Sequence, residues 1–397
     1  NPFSPDDELR LYIGNEGNGN YSSGVRGTFN FGQLKSSPID SGTALTDYTS
    51  TAGGFFRFQP VDGFKALNQD NVPDEGVKPD IVYIKNRDST DSWQWYDSSR
   101  GPQNRLMTNS TDGEDVVTDG LQKFLQGGAA IEDDDAINTA AESYASWNWV
   151  VGGGTTSANT DGVGATVACT IQKNTDAGIS IVEWTGGGSA GTIEHGLGKV
   201  PAVMLYKRKN ADGDGWVLYH HRLNSGSPED GSLNLHATGT FSDDATLFND
   251  TAPTTQLATI GTYGMQNTEK RVGYFFAEID GYSKFGEYLG NGNADGPFVF
   301  TGFKPSFLLI KSQNSANWYI HDNKMFPNNP NSAEFHPNTT NTQTTLAGGR
   351  GVDFLSNGFK LRQEAGYGSN YDGVQAVYLA FAEHPFIGDG VNPCTAK

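Results

Sequence analysis

The stretch that decides the fold is residues 201–220, PAVMLYKRKNADGDGWVLYH. It consists of an apolar run ending at Lys207, a polar Asp/Gly turn, and Trp216 at the start of a second apolar run. This is the pattern of a β-hairpin. The chain contains it twice more, because PDIVYIKNRDSTDSWQWYD begins at Pro79 and PSFLLIKSQNSANWYIHD begins at Pro305. Three copies predict three related β-units.

The three units also end alike, with an aromatic run. YASWNWV begins at Tyr144, VGYFFAEI at Val272 and VYLAFAEHPF at Val377. A repeat of roughly a hundred residues is too long for a solenoid and favours tandem small domains. The 51 glycines and 12% aromatic residues favour short strands joined by tight turns. We therefore predict an all-β chain of tandem, jelly-roll-like β-sandwich domains.

The repeats define the expected domain boundaries. Three β-sandwich repeats are expected at residues 74–151, 178–282 and 283–387, with a Gly/Thr-rich connection at 152–177 that ends in a strand. Residues 1–73 are expected to be the β-rich end of an incomplete module, and residues 388–397 a C-terminal tail. Within the repeats, Ile84, Leu205 and Leu309 are expected to point into the three cores.

Composition excludes several classes of protein. The formal net charge is −19 and there is no Lys/Arg-rich run, which argues against binding nucleic acid through its phosphates. No run approaches the roughly 18 apolar residues of a membrane span, so membrane insertion is not expected. The start without Met suggests a processed or truncated N-terminus. Two cysteines, Cys169 and Cys394, leave a disulfide between them open.

Short segments follow one another in a specific order along most of the chain. They include FNFGQ (29–33), KPDIVYIKNR (78–87), WQWYDSSRG (93–101), YASWNWVVGGG (144–154) and HGLGKVPAVMLYKR (195–208). In this succession, residues 28–386 resemble tail-fibre and related virion surface proteins of tailed bacteriophages, especially phages of marine bacteria. The resemblance implies β-rich modules on the virion surface, often at its host-facing end, and carries no catalytic residues.

Catalytic patterns are weak. The loop GTIEHGLGK resembles a phosphate-binding loop, but Val200 follows its lysine where Ser or Thr is required, so a tight glycine turn is favoured. No G-x-S-x-G nucleophile turn is present, and no carboxylate pair stands out for glycan cleavage. We expect no enzymatic activity, no catalytic residues and no bound cofactor.

Metal-binding patterns are also weak. Four histidines concentrate in the second repeat, namely His195, His220, His221 and His236. The adjacent pair His220 and His221 would point to opposite faces of a strand and could not easily share one zinc ion. Acidic clusters at 132–135, 212–215 and 293–296 lack EF-hand spacing, so solvated turns explain them better. We expect no metal site, although calcium at a domain junction stays open.

Aromatic residues are the candidates for ligand binding. Trp93, Trp216 and Trp318 could stack on sugars, but their equivalence across the repeats favours the hydrophobic core. Aromatic residues at positions that do not repeat are better candidates for ligand contact. They are Tyr263, Tyr282, Tyr367 and Tyr371.

The sequence and the resemblance together favour a virion structural protein, either a tail fibre or a similar appendage. It would be made in the host cytoplasm and adhere to a host surface glycan or protein without covalent chemistry. Its other partners would be virion proteins and further copies of itself, with a trimer expected by family analogy. A capsid decoration or head fibre, a tailspike-like polysaccharide depolymerase, and a cellular adhesin are the alternatives.

Overall fold

The computed structural model describes residues 78–152, 156–157, 164–364 and 368–384, which belong to one compact unit, Val72–Lys397. The expected N-terminal segment, the C-terminal tail with Cys394, and Tyr367 lie outside the described residues. Part of the expected connection at 152–177 lies outside them too.

The first repeat combines a main sheet with a covering hairpin. Its strands are β1 (Ile81–Asn86), β2 (Gln94–Asp97), β3 (Asn104–Met107), β4 (Asp115–Val116), β5 (Leu121–Leu125), β6 (Gly128–Ile131) and β7 (Tyr144–Trp149). The main sheet has the order β4-β3-β2-β1-β7, and β5 pairs with β6. A short helix α1 (Asp135–Asn138) precedes β7, and the side chain of Asp134 caps it by accepting a hydrogen bond from the backbone N–H of Ala136.

The second repeat has a larger main sheet. Its strands are β8 (Thr156–Ser157), β9 (Cys169–Asn174), β10 (Ile179–Thr185), β11 (Gly191–Glu194), β12 (Val203–Arg208), β13 (Val217–His220), β14 (Gly231–Asn234), β15 (Ser242–Asp243), β16 (Leu257–Ile260) and β17 (Lys270–Phe276). The main sheet has the order β15-β14-β13-β12-β17-β10-β9-β8, and β11 pairs with β16. Two 3₁₀ turns (Asn224–Gly226 and Pro228–Asp230) and the helix α2 (Ala245–Phe248) connect its strands.

The third repeat has the same two layers. Its strands are β18 (Ser283–Leu289), β19 (Phe298–Phe300), β20 (Pro305–Ser312), β21 (Trp318–Asp322), β22 (Ala333–Glu334), β23 (Thr344–Thr345), β24 (Val352–Leu355), β25 (Gly358–Leu361) and β26 (Gln375–Ala382). The main sheet has the order β18-β26-β20-β21, and β19-β25-β24 forms a covering sheet. Across the described part of the chain, no helix is long and apolar enough to cross a membrane.

The same three strands form the centre of every main sheet. The strand before the repeated lysine (β1, β12 or β20) lies between the strand after the repeated tryptophan (β2, β13 or β21) and the closing aromatic strand (β7, β17 or β26). All six residues of β1 are buried. Both faces of its sheet are covered, which explains a continuous apolar run where a half-exposed strand would alternate.

One hydrophobic core joins the three main sheets. Each sheet contributes its inner face, including Tyr83 of β1, Leu205 of β12 and Leu309 of β20. The all-β prediction is therefore confirmed. The three sandwiches pack around this shared core, since each inner face is apolar and needs a partner to exclude water.

Ile84 is buried in a hydrophobic core, as expected, but not in the shared core that contains Leu205 and Leu309. It points to the opposite face of β1 and lies in an outer core of the first repeat with Val82 and Tyr96. Leu205 and Leu309 face the shared core because they stand two positions before the repeated lysine, whereas Ile84 stands one before it. Side chains alternate along a strand, so the true counterpart is Tyr83.

The repeated tryptophans link the three repeats in a closed ring of hydrogen bonds. All three side chains are fully buried, and each indole N–H donates to a backbone carbonyl of another repeat. The donor–acceptor distances are 2.8 Å for Trp216 to Met107, 3.0 Å for Trp318 to Asn234 and 3.1 Å for Trp93 to His336. Repeat two thus bonds to repeat one, repeat three to repeat two, and repeat one to repeat three.

Two of the three repeated lysines support the same junctions. Burial lowers the pKa values of Lys85, Lys207 and Lys311 to about 8. The ammonium of Lys207 donates to the carbonyl of Thr111 in the first repeat at 2.8 Å, and that of Lys311 to the carbonyl of Thr238 in the second repeat at 3.3 Å. Buried cations are tolerated here because carbonyl oxygens surround them.

Candidate functional site

The tyrosines chosen from the sequence are mostly engaged in packing. Tyr263 is partly buried, and the guanidinium of Arg271 lies 5.0 Å from its ring centre. Tyr282 packs against Phe381 with ring centres 5.6 Å apart, and burial raises the pKa of Tyr282 to about 12. Tyr371 packs against the outer core of the third repeat. None of these three presents a fully exposed ring.

A different pair of aromatic rings is open to solvent. Phe298 and Phe300, which we call the aromatic face, lie on strand β19 with 47% and 64% of their surface exposed. Val299 between them is buried in the outer core of the third repeat. The alternation places both phenylalanines on the outer side of the covering sheet, about 7 Å apart along the strand.

The strand that pairs with β19 has a glycine beside these rings. Gly358 pairs with Phe300 across the sheet, and a Cβ there would lie 2.1 Å from the carbonyl oxygen of Val299 and 3.1 Å from Cε2 of Phe298. A side chain at this position would collide with the backbone. The close approach of the backbone therefore requires glycine beside the aromatic face.

The second repeat provides an internal comparison. Its covering strand β11 buries Ile193 as β19 buries Val299. The neighbours of Ile193 are Thr192 and Glu194, at the positions of Phe298 and Phe300. The fold therefore accepts polar residues at these two outward positions. Packing does not require aromatic residues there.

Charged side chains flank the aromatic face. Lys360 pairs with Phe298 across the sheet, and its ammonium lies 2.8 Å from a carboxylate oxygen of Asp295. The guanidinium of Arg362 donates to a carboxylate oxygen of Asp353 at 2.6 Å. Hydrogen bonding from Lys360 lowers the pKa of Asp295. Two exposed rings beside fixed hydrogen-bonding groups suit a ligand with apolar faces and hydroxyl edges.

The histidines have structural contacts. His195 and His220 are fully buried, and burial lowers their pKa values to about 4 and about 3. A ring nitrogen of His221 lies 2.7 Å from the carbonyl oxygen of Phe285, and Nδ1 of His236 accepts from the backbone N–H of Trp216 at 3.1 Å. Within the described ranges, no group of three or more His, Cys, Asp or Glu side chains could hold a metal ion.

The acidic clusters serve turns and ion pairs. Asp134 caps α1, and Asp295 pairs with Lys360. Asp214 lies 2.6 Å from the buried guanidinium of Arg271. These contacts give each cluster a structural role in the described chain.

The sequence analysis did not select the aromatic face. The local pattern Phe-Val-Phe predicts a strand but does not indicate which of its faces is buried. Aligning the repeats at Gly196 and Gly302 would have revealed it, since that register places Thr192 and Glu194 at the positions of Phe298 and Phe300.

Comparison with known proteins adds a family but no activity. Neither a curated protein nor a solved structure matches this chain. A family model matches residues 52–385, which include all three repeats. The chain belongs to the family described as a domain of unknown function, DUF7483.

Proposed function

We propose that the chain is a bacteriophage virion surface protein, a tail fibre or similar appendage, that adheres to host surface glycans without cleaving them. The order of sequence segments shared with tail-fibre proteins supports the virion assignment. The aromatic face supports glycan binding. The single observation that carries the proposal is that repeat three exposes Phe298 and Phe300 where repeat two has Thr192 and Glu194.

The aromatic face exposes a large apolar surface to solvent. Exposing two large rings costs solubility, so a chain that folds equally well with polar residues there gains from the rings only through a partner. Pyranose rings have an apolar C–H face that stacks on aromatic rings and hydroxyl groups that bond to charged side chains such as Lys360. A single face of this size binds weakly, and several copies on one appendage would raise the avidity.

The proposal is tested by retention on immobilised bacterial surface polysaccharides. The variant Phe298→Thr/Phe300→Glu places the repeat-two residues in repeat three, and we expect it to lose retention at least about tenfold because both stacking rings are removed. The control is Leu289→Thr, which changes another exposed apolar residue of the same repeat, 62% exposed. The control should keep retention.

The same samples separate the alternatives. Polymer length after prolonged incubation should be unchanged, and release of oligosaccharides would favour a depolymerase. If the double variant altered the oligomeric state while retention stayed at the wild-type level, the aromatic face would be a subunit contact and the glycan proposal would fail.

A further inference from the structure

A second concave site lies at one end of the main sheet of the third repeat. Strand β20 begins there and the antiparallel strands β21 and β26 end there, which brings together residues far apart in sequence. The resulting cavity, the lysine pocket, has a volume of about 180 Å³. Its lining includes Lys304, Asn323, Lys324, Pro327, Phe354 and Glu383.

Two lysines and one carboxylate set its charge. The ammonium groups of Lys304 and Lys324 lie 2.7 Å and 2.9 Å from the two carboxylate oxygens of Glu383. Burial alone would raise the pKa of Glu383, but hydrogen bonds from the two lysines hold it at about 2. Each ammonium has three donors and directs one of them to Glu383. The pocket therefore carries a net positive charge on a chain whose net charge is −19.

Asn323 supplies an acceptor that has no partner. Its side chain is 6% exposed, and its Nδ2 donates to the carbonyl of Pro305 at 3.2 Å. Its Oδ1 is buried without a hydrogen bond from the described chain. A buried acceptor left unpaired is costly, and a ligand hydroxyl would satisfy it. Phe354, which is 5% exposed, gives the pocket an apolar wall.

The second repeat shows what occupies the corresponding position there. Glu278 is the counterpart of Glu383, since each is the seventh residue of its closing aromatic run, which begins at Val272 or Val377. His221 is the counterpart of Asn323, since each directly follows the strand after the repeated tryptophan. The carboxylate of Glu278 accepts from the backbone N–H of Phe285 at 2.9 Å, and His221 contacts the carbonyl of Phe285 at 2.7 Å. The backbone of Phe285 in the next repeat thus pairs with both residues, whereas Asn323 and Glu383 line a pocket.

We propose that the lysine pocket binds a uronic-acid residue of an acidic polysaccharide. The sugar carboxylate would pair with Lys304 and Lys324, a hydroxyl would donate to Oδ1 of Asn323, and the C–H face would pack on Phe354. A volume of about 180 Å³ is below the roughly 300–1,000 Å³ of drug-sized pockets, which suits one sugar unit. The choice of a sugar rests on the proposed function, while the choice of an anion with a hydroxyl rests on the pocket alone.

The test uses calorimetry with free D-glucuronate and D-glucose on the whole chain. We expect glucuronate to bind with a Kd of order 1 mM, as is typical of so small a ligand, and glucose at least about tenfold more weakly. Binding should weaken as salt rises, because the attraction is electrostatic. Equal affinity for the two sugars, or no saturable binding of glucuronate, would overturn the proposal.

Three variants assign the binding to the pocket. Lys304→Gln/Lys324→Gln should weaken glucuronate binding at least about tenfold, and Lys199→Gln, at the exposed counterpart of Lys304 in repeat two, should not. Glu383→Gln should strengthen binding several-fold by freeing both ammonium groups, an opposite change that misfolding could not produce. Unchanged affinity in the double lysine variant would also refute the pocket.

The outcomes separate this inference from the proposed function. Phe298→Thr/Phe300→Glu should leave glucuronate binding unchanged, because neither ring lines the pocket. Glucuronate binding without retention on polysaccharides would reject the adhesion proposal and keep the pocket. Retention on polysaccharides without glucuronate binding would reject the pocket and keep the adhesion proposal.

Discussion

Replacing Trp216 by alanine tests whether the three repeats fold as one cooperative unit. The indole is fully buried, and its ring centre lies 5.9 Å from that of Trp95 in the first repeat and 6.2 Å from that of Tyr274 in the second. Losing so large a core side chain costs about 3–5 kcal/mol. The carbonyl of Met107 also loses its 2.8 Å hydrogen bond, at about 1–3 kcal/mol. Trp216→Phe keeps most of the apolar ring but loses the N–H donor. It should therefore cost only the roughly 1–3 kcal/mol of the lost hydrogen bond.

The assay is denaturant unfolding followed by both fluorescence and far-UV circular dichroism. Because Trp216 joins two repeats across a shared core, the whole transition should move to lower denaturant in Trp216→Ala, with the two signals coincident. The matched control is Trp184→Phe, whose indole donates to Gly264 within the second repeat at 3.0 Å. If Trp216→Ala left one transition at the wild-type midpoint and shifted only another, the repeats would be independent domains and the shared-core account would be wrong.

Three further predictions follow from single contacts. Burial lowers the pKa of His220 to about 3, whereas its ordinary value is near 6.5. At pH values between these two, the unfolded chain binds a proton at His220 and the folded chain does not. The free energy of unfolding should therefore fall as pH drops below about 6.5, and His220→Gln should reduce that slope in denaturant titrations. Val203→Ile should add about 0.8 kcal/mol of stability, measured as a higher midpoint, by placing one more methylene in the apolar cavity of about 50 Å³ in the shared core. Thr192→Phe/Glu194→Phe should give the second repeat an aromatic face and increase retention on polysaccharides, and an unchanged or lower retention would count against the glycan assignment.

Much of the strand plan could be predicted from the sequence. The lysine and tryptophan landmarks placed the hairpins correctly, since turn residues and apolar runs are local signals. The face to which Tyr83 points could have been predicted from its position in the sequence. Tyr83 stands two residues before Lys85, as Leu205 stands two residues before Lys207. Ile84 stands one position nearer to the lysine and therefore faces the outer core of the first repeat.

The shared core could not be predicted in the same way. Each buried tryptophan bonds to a backbone carbonyl of another repeat, and a carbonyl has no sequence signature. The continuous apolar run of β1 indicates that both faces are covered but not what covers them. The pairing of one repeat with the next therefore needed three-dimensional information.

The candidate sites were hidden for two different reasons. In the aromatic face, Phe298 and Phe300 look like core residues until their exposure is known. The lysine pocket joins Lys304, Lys324 and Glu383, which stand at the ends of three strands. Only the antiparallel register brings those ends together.

The most direct test of the central claim is a crystal structure of the chain with a retained oligosaccharide. The account predicts electron density for a sugar ring stacked on Phe298 or Phe300, with hydroxyl groups near Lys360. Sugar density elsewhere on the chain, with both phenylalanine rings bare, would contradict it.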